Sequence, residues 1–210
     1  METQYKQDLH IHTVYSTGDS SIEPQQTIPL IAELNHAEIR GISDHFEYLT
    51  GPVFEKYREE VHYYGFWCGC EVNDSVDAHE AVTYPFDYYI YHCRDRESEY
   101  RGAEKLLETG KPVIVSHPMA IGADLNKVPT GCLLEINNRY VWKNDYMAFF
   151  TPHLDRFSFT IGSDAHKPNW LNQIVARHAA AKLGIEETLL FPSRRGECVC
   201  CGDRKKPQNC

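Results

Sequence analysis

The sequence lacks long apolar runs, an excess of positive charge and internal repeats. No stretch approaches the roughly 18 apolar residues that a membrane span requires. The chain begins METQYKQDLH, without the basic and apolar regions of a secretion signal, so we expect a cytoplasmic protein with no membrane partner. Its 21 Lys and Arg stand against 30 Asp and Glu, for a formal net charge of −9. This balance argues against general nucleic-acid binding but does not exclude a small phosphorylated substrate.

Cysteine, by contrast, is plentiful, and its 8 residues fall into two groups. Without an export signal, we do not expect them to form a disulfide framework. One group lies in apolar, strand-like runs and is predicted to be reduced: Cys68, Cys70, Cys93 and Cys132. The other group crowds the end of the chain: Cys198, Cys200, Cys201 and Cys210.

The composition changes abruptly at residue 193, which divides the chain into a domain of residues 1–192 and a Cys-rich tail of residues 193–210. Four cysteines can bind a structural zinc ion, but their spacing departs from the usual C-x-x-C pairs. A zinc site and a partly basic tail with free thiols therefore remain alternatives.

Seven short apolar runs are predicted to be β-strands, and most are followed by a helical pattern. The strands begin near residues 4, 38, 65, 86, 112, 132 and 157. Helical periodicity covers residues 25–36, 52–63, 97–109, 140–153 and 169–183. The strands are apolar throughout, which is typical of parallel strands covered on both faces. The pattern predicts an α/β fold, a closed or nearly closed (β/α)7 barrel, with an open doubly wound sheet as the alternative.

Side chains that can bind metal follow the C-terminal ends of six predicted strands. They are His10, His12, His45, Glu71, His92, His117, Asp164 and His166. The pair His10 and His12 has the spacing that sends two side chains to one side of a strand, although such a pair also suits an ordinary half-buried strand face. In a parallel barrel these ends converge on one face, where active sites form. Chance placement explains one or two such residues but not eight.

Eight donors exceed the four of a single tetrahedral site, so at least two metal ions are implied. Imidazole and carboxylate suit Zn²⁺, Mn²⁺ and Fe²⁺, and Glu71 is suited to bridge two ions. Two metals roughly 3.5–4 Å apart can activate a water and stabilise the leaving oxygen of a phosphoryl displacement. Two carboxylates against two or three dications leave the site positive, which favours an anionic substrate.

The ordered motifs resemble the PHP (polymerase and histidinol phosphatase) family over about residues 6–185. They read D-L-H-I-H-T at 8–13, S-D-H at 43–45, C-E-V at 70–72, F-D-Y-Y-I-Y-H at 86–92, S-H-P at 116–118, E-I-N at 135–137 and S-D-A-H at 163–166. Each motif alone is weak, whereas the ordered set is specific. The resemblance implies a distorted (β/α)7 barrel with its active site at the C-terminal strand ends, two or three metals, and the activity of a small stand-alone phosphoesterase.

The resemblance also implies how the ligands divide among the metals. One metal would be held by His10, His12, Glu71 and Asp164. A second would share Glu71 and be held also by His92 and His117, and His45 and His166 would belong to a third. Asp8, Asp44 and Glu135 look like outer partners that orient imidazoles or strand ends. The candidate catalytic residues are Glu71, Asp164 and His166.

One loop departs from the family pattern. Many relatives have Ser-Asp-Gly or an additional His after the first motif, where this chain has Ser16-Thr17-Gly18-Asp19. Asp19 is therefore the candidate ligand that completes a third site, in a shifted register. Three cations lie one or two residues beyond a motif and are candidates to bind phosphate oxygens, with solvated loop charges as the alternative: Arg94, Arg139 and Lys167.

We therefore expect hydrolysis of a small phosphate ester by a multinuclear centre of two or three Zn, Mn or Fe ions. Histidinol-phosphate phosphatase is one alternative, although the chain is short for that group and leaves little inserted loop to form an imidazole-binding pocket. A non-catalytic, metal-binding regulatory module of the same fold is the second alternative, and a hydrolase of C–N bonds is a weaker one. The sequence does not indicate the oligomeric state.

Overall fold

The computed structural model describes residues 5–194, which form seven parallel strands with helices between them. The strands are β1 (Tyr5–Asp8), β2 (Ala37–Ile42), β3 (Trp67–Val72), β4 (Tyr88–Tyr91), β5 (Val113–Val115), β6 (Leu133–Asn137) and β7 (Phe159–Gly162). The helices are α1 (Ile28–Leu34), α2 (Pro52–Tyr63), α3 (Ser75–Ala81), α4 (Glu97–Leu107), α5 (Pro118–Ile121), α6 (Tyr146–Phe150) and α7 (Ile174–Leu183). The predicted βα units are confirmed.

Each strand pairs in parallel with the next strand along the chain, in the order β1 to β7. A doubly wound sheet would reverse its strand order at a switch point, so this order excludes that alternative. The ends of the sheet meet beyond β1 and β7, where His12 N–H donates to Ala165 O at 2.9 Å. Gln173 Nε2 bridges the seam, donating to Gln7 O at 2.8 Å and to Ile161 O at 3.0 Å. The fold is therefore the predicted α/β barrel, nearly closed.

The hydrophobic core has two layers. The larger layer lies between strands and helices and contains Cys68, Tyr89 and Val113. The smaller layer fills the barrel interior: Leu9, Ile39, Tyr88, Ile90 and Ile114. Both faces of the strands are thus covered, which is why the strands lack polar alternation. The smaller layer closes the N-terminal end of the barrel and leaves the opposite end for polar groups.

Two predicted helices differ from the structure. Residues 140–153 form only α6 between two 3-10 turns, because Pro152 lacks an N–H and Asn144 has an extended backbone. In the last helix the regular segment begins at Ile174 rather than near residue 169, and a 3-10 turn precedes it. Short α3 and α5 were not predicted, since helices of seven and four residues carry little periodicity.

The four cysteines of the apolar runs are buried and free, as predicted: Cys68, Cys70, Cys93 and Cys132. Burial raises the pKa of the Cys93 and Cys132 thiols to about 12. Such thiols are poor nucleophiles and act as small apolar side chains. The predictions for Cys198, Cys200, Cys201 and Cys210 fall outside the described residues. Within residues 5–194, no helix combines the length and apolar character needed to cross a membrane.

Candidate metal centre

Strand alternation delivers the polar side chains to the C-terminal half of the barrel interior. In β4, Tyr88 and Ile90 face inward, and His92 continues the same alternation just after the strand. In β3, Trp67 packs on the inner layer, and Glu71 lies four residues further along the same face. In β3 and β4, the inward side chains are therefore apolar near the start of the strand and can bind metal near its end.

The structure brings all eight predicted ligands together. Three groups of side chains have ligand atoms within 4.8 Å of one another: His10, His12 and Glu71; Glu71, His92 and His117; and His12, His45 and His166. Asp164 joins them, with Oδ1 at 3.7 Å from the Nε2 atoms of His10 and His12. Glu71 belongs to two groups, as its predicted bridging position requires. His12 also belongs to two groups, whereas the sequence assigned it only to the first.

The nitrogen spacing in these groups suits tetrahedral metal ligation. His10 Nε2 lies 3.1 Å from His12 Nε2, and His92 Nε2 lies 3.1 Å from His117 Nε2. Two nitrogens at about 2.0–2.1 Å from one tetrahedral zinc ion are about 3.3 Å apart. His10 Nδ1 faces Glu135 Oε1 at 2.8 Å. In the neutral, metal-binding form of His10, Nδ1 would donate this bond and the Nε2 lone pair would face the group.

Glu71 provides an independent test of the fit. Its Oε1 atom is buried and has no hydrogen-bond partner of acceptable geometry among the described residues. Nevertheless, His92 Nε2 lies 2.8 Å away, and His10 Nε2 lies 3.2 Å away. Buried oxygens are rarely left unpaired, and a cation held between these atoms would satisfy this one. The donor set therefore fits divalent metal ions.

Charge and burial oppose each other in this cluster. Burial alone would raise the pKa of Glu71, but His92 and His10 hold it well below its usual range, so the carboxylate is ionised. Burial would also lower the pKa of His10, but Glu135, Asp164 and Glu71 outweigh burial and raise it. The pKa of His12 is lowered by burial and by the neighbouring His166, which keeps His12 in the neutral form that binds metal.

Asp19 lies beside the third group despite its shifted register. Its Oδ2 atom is 3.0 Å from His166 Nε2 and 3.5 Å from His45 Nε2. Burial would raise the pKa of Asp19, but hydrogen bonds from Ser21 and the two imidazoles lower it. Asp19 N–H donates to Ser16 O at 3.0 Å, and this turn brings the carboxylate back to the site.

Glu135 contacts two of the candidate ligands directly, the arrangement expected of an outer partner. Its Oε1 atom contacts His10, and its Oε2 atom accepts the His117 backbone N–H at 2.9 Å. Gly162 leaves space for this carboxylate, because an added Cβ would lie 1.9 Å from Oε1. Asn137 Nδ2 donates to Glu135 Oε2 at 2.8 Å and to Asp164 Oδ2 at 3.2 Å. Asn137 was not predicted from the sequence to be a site residue, although it lies two residues after Glu135 and therefore faces the same side of β6.

Asp8 and Asp44 fix backbone segments rather than imidazoles of the cluster. Asp44 accepts the Thr13 N–H, the Thr13 hydroxyl and the Ser16 hydroxyl, each at 2.6 Å. These bonds hold the loop that follows His12. Asp8 Oδ1 accepts the Ser163 N–H at 3.1 Å and thereby positions the end of β7.

Only one of the three candidate phosphate-binding cations contacts the cluster. Arg139 Nη1 donates to Asp164 Oδ1 at 2.9 Å and lies 3.0 Å from His166 Nδ1. Arg94 instead donates to Asn73 O at 2.6 Å, and Lys167 pairs with Glu23 at 3.1 Å. The structure therefore supports Arg139 as a site residue and gives the other two cations different partners.

Two ligands have a left-handed backbone. His117 has φ 29° and Asp164 has φ 53°, a region that residues other than glycine rarely adopt. Such strain persists only where the surroundings hold it, and it concentrates at functional sites. Here the Glu135 bond to the His117 N–H is one restraint that holds the ligand.

No protein-family model and no curated protein matches the chain. Among solved structures, a truncated form of 3-deoxy-D-arabino-heptulosonate 7-phosphate synthase from Thermotoga maritima is similar, with 15% sequence identity and a TM-score of 0.47. The match covers 85% of this chain and 72% of that chain. At this level of similarity it carries no argument about function. The barrel holds buried groups of imidazoles and carboxylates that can bind metal ions.

Proposed function

We propose that the protein is a metal-dependent phosphoesterase that hydrolyses a small phosphate monoester, as its resemblance to the PHP family implies. The observation that carries the proposal is the set of three ligand groups that share Glu71 and His12 within one buried cluster. Groups that share ligands bring ions close together, and closely spaced ions are the arrangement used in phosphoryl displacement. Zn, Mn and Fe are the metals that this donor set favours.

The residues divide among the metals as follows. His10, His12, Glu71 and Asp164 would hold one ion; Glu71, His92 and His117 a second; and His12, His45, His166 and Asp19 a third. When bound, such ions lower the pKa of a coordinated water and neutralise the charge that develops on phosphorus.

Arg139 would bind the substrate phosphate. In the structure its guanidinium already pairs with Asp164 and lies between the rings of Tyr140 and Trp170, at 5.2 and 4.8 Å. These rings keep the guanidinium at the edge of the cluster, where its other N–H groups can reach a phosphate oxygen. The burial of the cluster excludes bulk water from the metal ligands, which strengthens every charge interaction there.

The test combines metal analysis with a substrate screen. The full-length protein is loaded with Zn²⁺, Mn²⁺ or Fe²⁺, the bound metal is quantified, and hydrolysis of a panel of phosphate monoesters is measured. Glu71→Gln is expected to remove a shared ligand and to lower both metal content and kcat/KM, the latter by about 10³-fold or more. His178→Ala, at an exposed histidine on α7, is the matched control and should retain both.

Other outcomes separate the alternatives. A fully metal-loaded protein that hydrolyses no phosphate ester would contradict the proposal and favour a non-catalytic module. Turnover confined to histidinol phosphate would identify the narrower phosphatase activity. An unchanged kcat/KM in Glu71→Gln with verified metal content would refute the role of the shared carboxylate.

A further inference from the structure

An apolar groove adjoins the third ligand group, outside the ligands themselves. It has a volume of about 380 Å³, within the range of small-molecule pockets. Val14, Tyr48 and Val53 are among its walls, and Lys56 is the only charged residue that lines it in the described part of the chain. Val14 is 38% exposed and Val53 is 40% exposed, so these aliphatic side chains face solvent. Among residues 5–194, no carboxylate lines the groove.

Tyr48 connects the groove with the metal centre. Its ring stands edge-on to the His45 ring, with centroids 6.4 Å apart and an interplanar angle of 85°. It also packs on Gly18, where an added Cβ would lie 2.2 Å from the Tyr48 hydroxyl. Gly18 precedes Asp19, so one aromatic side chain touches two of the segments that surround the third group. A molecule in this groove would lie beside that group.

A second cleft, of different chemistry, reaches the third group through Arg139, which contacts His166. It has a volume of about 360 Å³ and is lined by Arg139, Lys143 and Trp142, among others. Arg139 contacts His166, and the His166 ring lies 6.4 Å from the His45 ring. The imidazoles therefore separate a cationic cleft from an apolar groove. This arrangement suits a molecule with an anionic end and an apolar end.

We infer that the apolar groove binds the alcohol portion of the substrate, and that the preferred substrates are phosphate monoesters of an uncharged aryl or arylalkyl alcohol. The inference rests on the proposed function and specifies its substrate class. A cavity of about 150 Å³ holds a benzene ring, so this groove has room for a ring with its linker. Burial of the ring would supply binding energy that a polar alcohol lacks.

The test compares two pairs of ligands on the full-length, metal-loaded protein. The esters are 2-phenylethyl phosphate and 2-hydroxyethyl phosphate, whose leaving alcohols have similar basicity, and kcat/KM is measured for each. The corresponding phosphonates, which cannot be hydrolysed, are titrated by calorimetry to obtain Kd. We expect the phenyl compound to be favoured by at least about tenfold, both in the ratio of the two kcat/KM values and in the ratio of the two Kd values.

A matched pair of variants tests whether the preference for the phenyl compound arises in the groove. Val53→Asp places a charge on the groove wall at the second residue of α2, where an acidic residue is compatible with the helix dipole. Val76→Asp makes the same change at the second residue of α3, where the side chain is 75% exposed and outside the groove. We expect Val53→Asp to reduce both ratios about tenfold and Val76→Asp to leave them unchanged.

The outcomes separate the two proposals. Equal Kd values for the phosphonates, no binding of either, or equal loss of preference in both variants would overturn the inference about the groove. Absence of ester hydrolysis with a retained phosphonate preference would refute only the proposed function.

Discussion

The two ends of the barrel interior are built from the same strands but hold opposite chemistry. At the N-terminal end, Leu9, Tyr88 and Ile114 form an apolar layer. At the C-terminal end, the inward positions of the same sheet carry Glu71 and Glu135, each 2% exposed or less. The alternation of a strand decides which side chains face inward, and the position along the strand decides whether they serve stability or chemistry.

Close packing stabilises the N-terminal end. The Tyr88 ring fills the space above Gly69, where an added Cβ would lie 2.3 Å from it, and the Tyr88 hydroxyl donates to Leu9 O at 2.7 Å. Phe191 stacks on Trp67 with a centroid separation of 4.1 Å and closes the base. Because these contacts are apolar or fully paired, they stabilise the fold without a buried charge.

The C-terminal end buries charge instead. Ionised carboxylates taken out of water lose solvation that their partners restore only in part. Several left-handed or unpaired groups in this half lie at ligand positions, including Asp164 and Glu71 Oε1. We therefore expect substitutions at the two ends to affect different quantities. Those at the N-terminal end, or base, should change the free energy of unfolding, and those at the C-terminal end, or mouth, should change metal affinity.

The largest effect is expected from Tyr88→Ala, which would leave a cavity inside the barrel. By analogy with other large aromatic truncations, it should lower the free energy of unfolding by about 3–5 kcal/mol. Urea unfolding monitored by circular dichroism measures this change. Tyr63→Ala, at a tyrosine 40% exposed, is the control and should cost far less. A Tyr88→Ala protein of unchanged stability would show that the base does not support the barrel.

Glu135→Gln tests the mouth and should act on metal rather than on the fold. The amide keeps one oxygen that can accept from His10 Nδ1, but it replaces the oxygen that accepts the His117 N–H with a donor. It also removes the charge that makes the His10 imidazole a better ligand, so metal affinity should fall about 10–100-fold. Competition with a chelator measures the affinity. Glu99→Gln is the matched control: Glu99 is also buried, but it accepts the Tyr91 hydroxyl at 2.7 Å, away from the cluster. Equal losses in the two variants would remove the distinction between the ends.

Glu187→Gln is expected to have the smallest effect. Glu187 is a half-buried carboxyl that pairs with Arg177 next to the start of β7. Burial raises the pKa of Glu187, and Arg177 opposes this only in part. A carboxyl whose folded pKa is raised favours folding below its unfolded pKa and loses that contribution as pH rises through the folded value. Relative to Glu187→Gln, the wild-type protein should therefore lose stability as the pH rises from 4 to 8.

Urea unfolding at pH 4 and pH 8 measures the difference between the two proteins. Glu186→Gln, at an exposed neighbouring position, supplies the control. A wild-type protein that gains stability relative to Glu187→Gln over this range would contradict the expected sign.

Some features of the site could be identified only from the folded structure. Asp19 contacts the third ligand group because a turn at Ser16 folds the loop back. The shifted register of Asp19 in the sequence did not indicate this turn. Similarly, Arg94 and Arg139 both follow a motif closely, but only Arg139 reaches Asp164. Sequence proximity to a motif does not give the direction of a long, flexible side chain, because that direction depends on packing partners from other strands.

The sequence by itself determined the parallel barrel and the eight candidate ligands at its mouth, because apolar runs and strand-end positions are local patterns. The closure between β1 and β7 was decided only in the tertiary structure, where Gln173 spans the seam. The shared positions of Glu71 and His12, and the groove beside Tyr48, likewise depend on distances between segments far apart in the chain. Local periodicity specifies which face a side chain occupies, whereas packing across the barrel specifies which side chains meet.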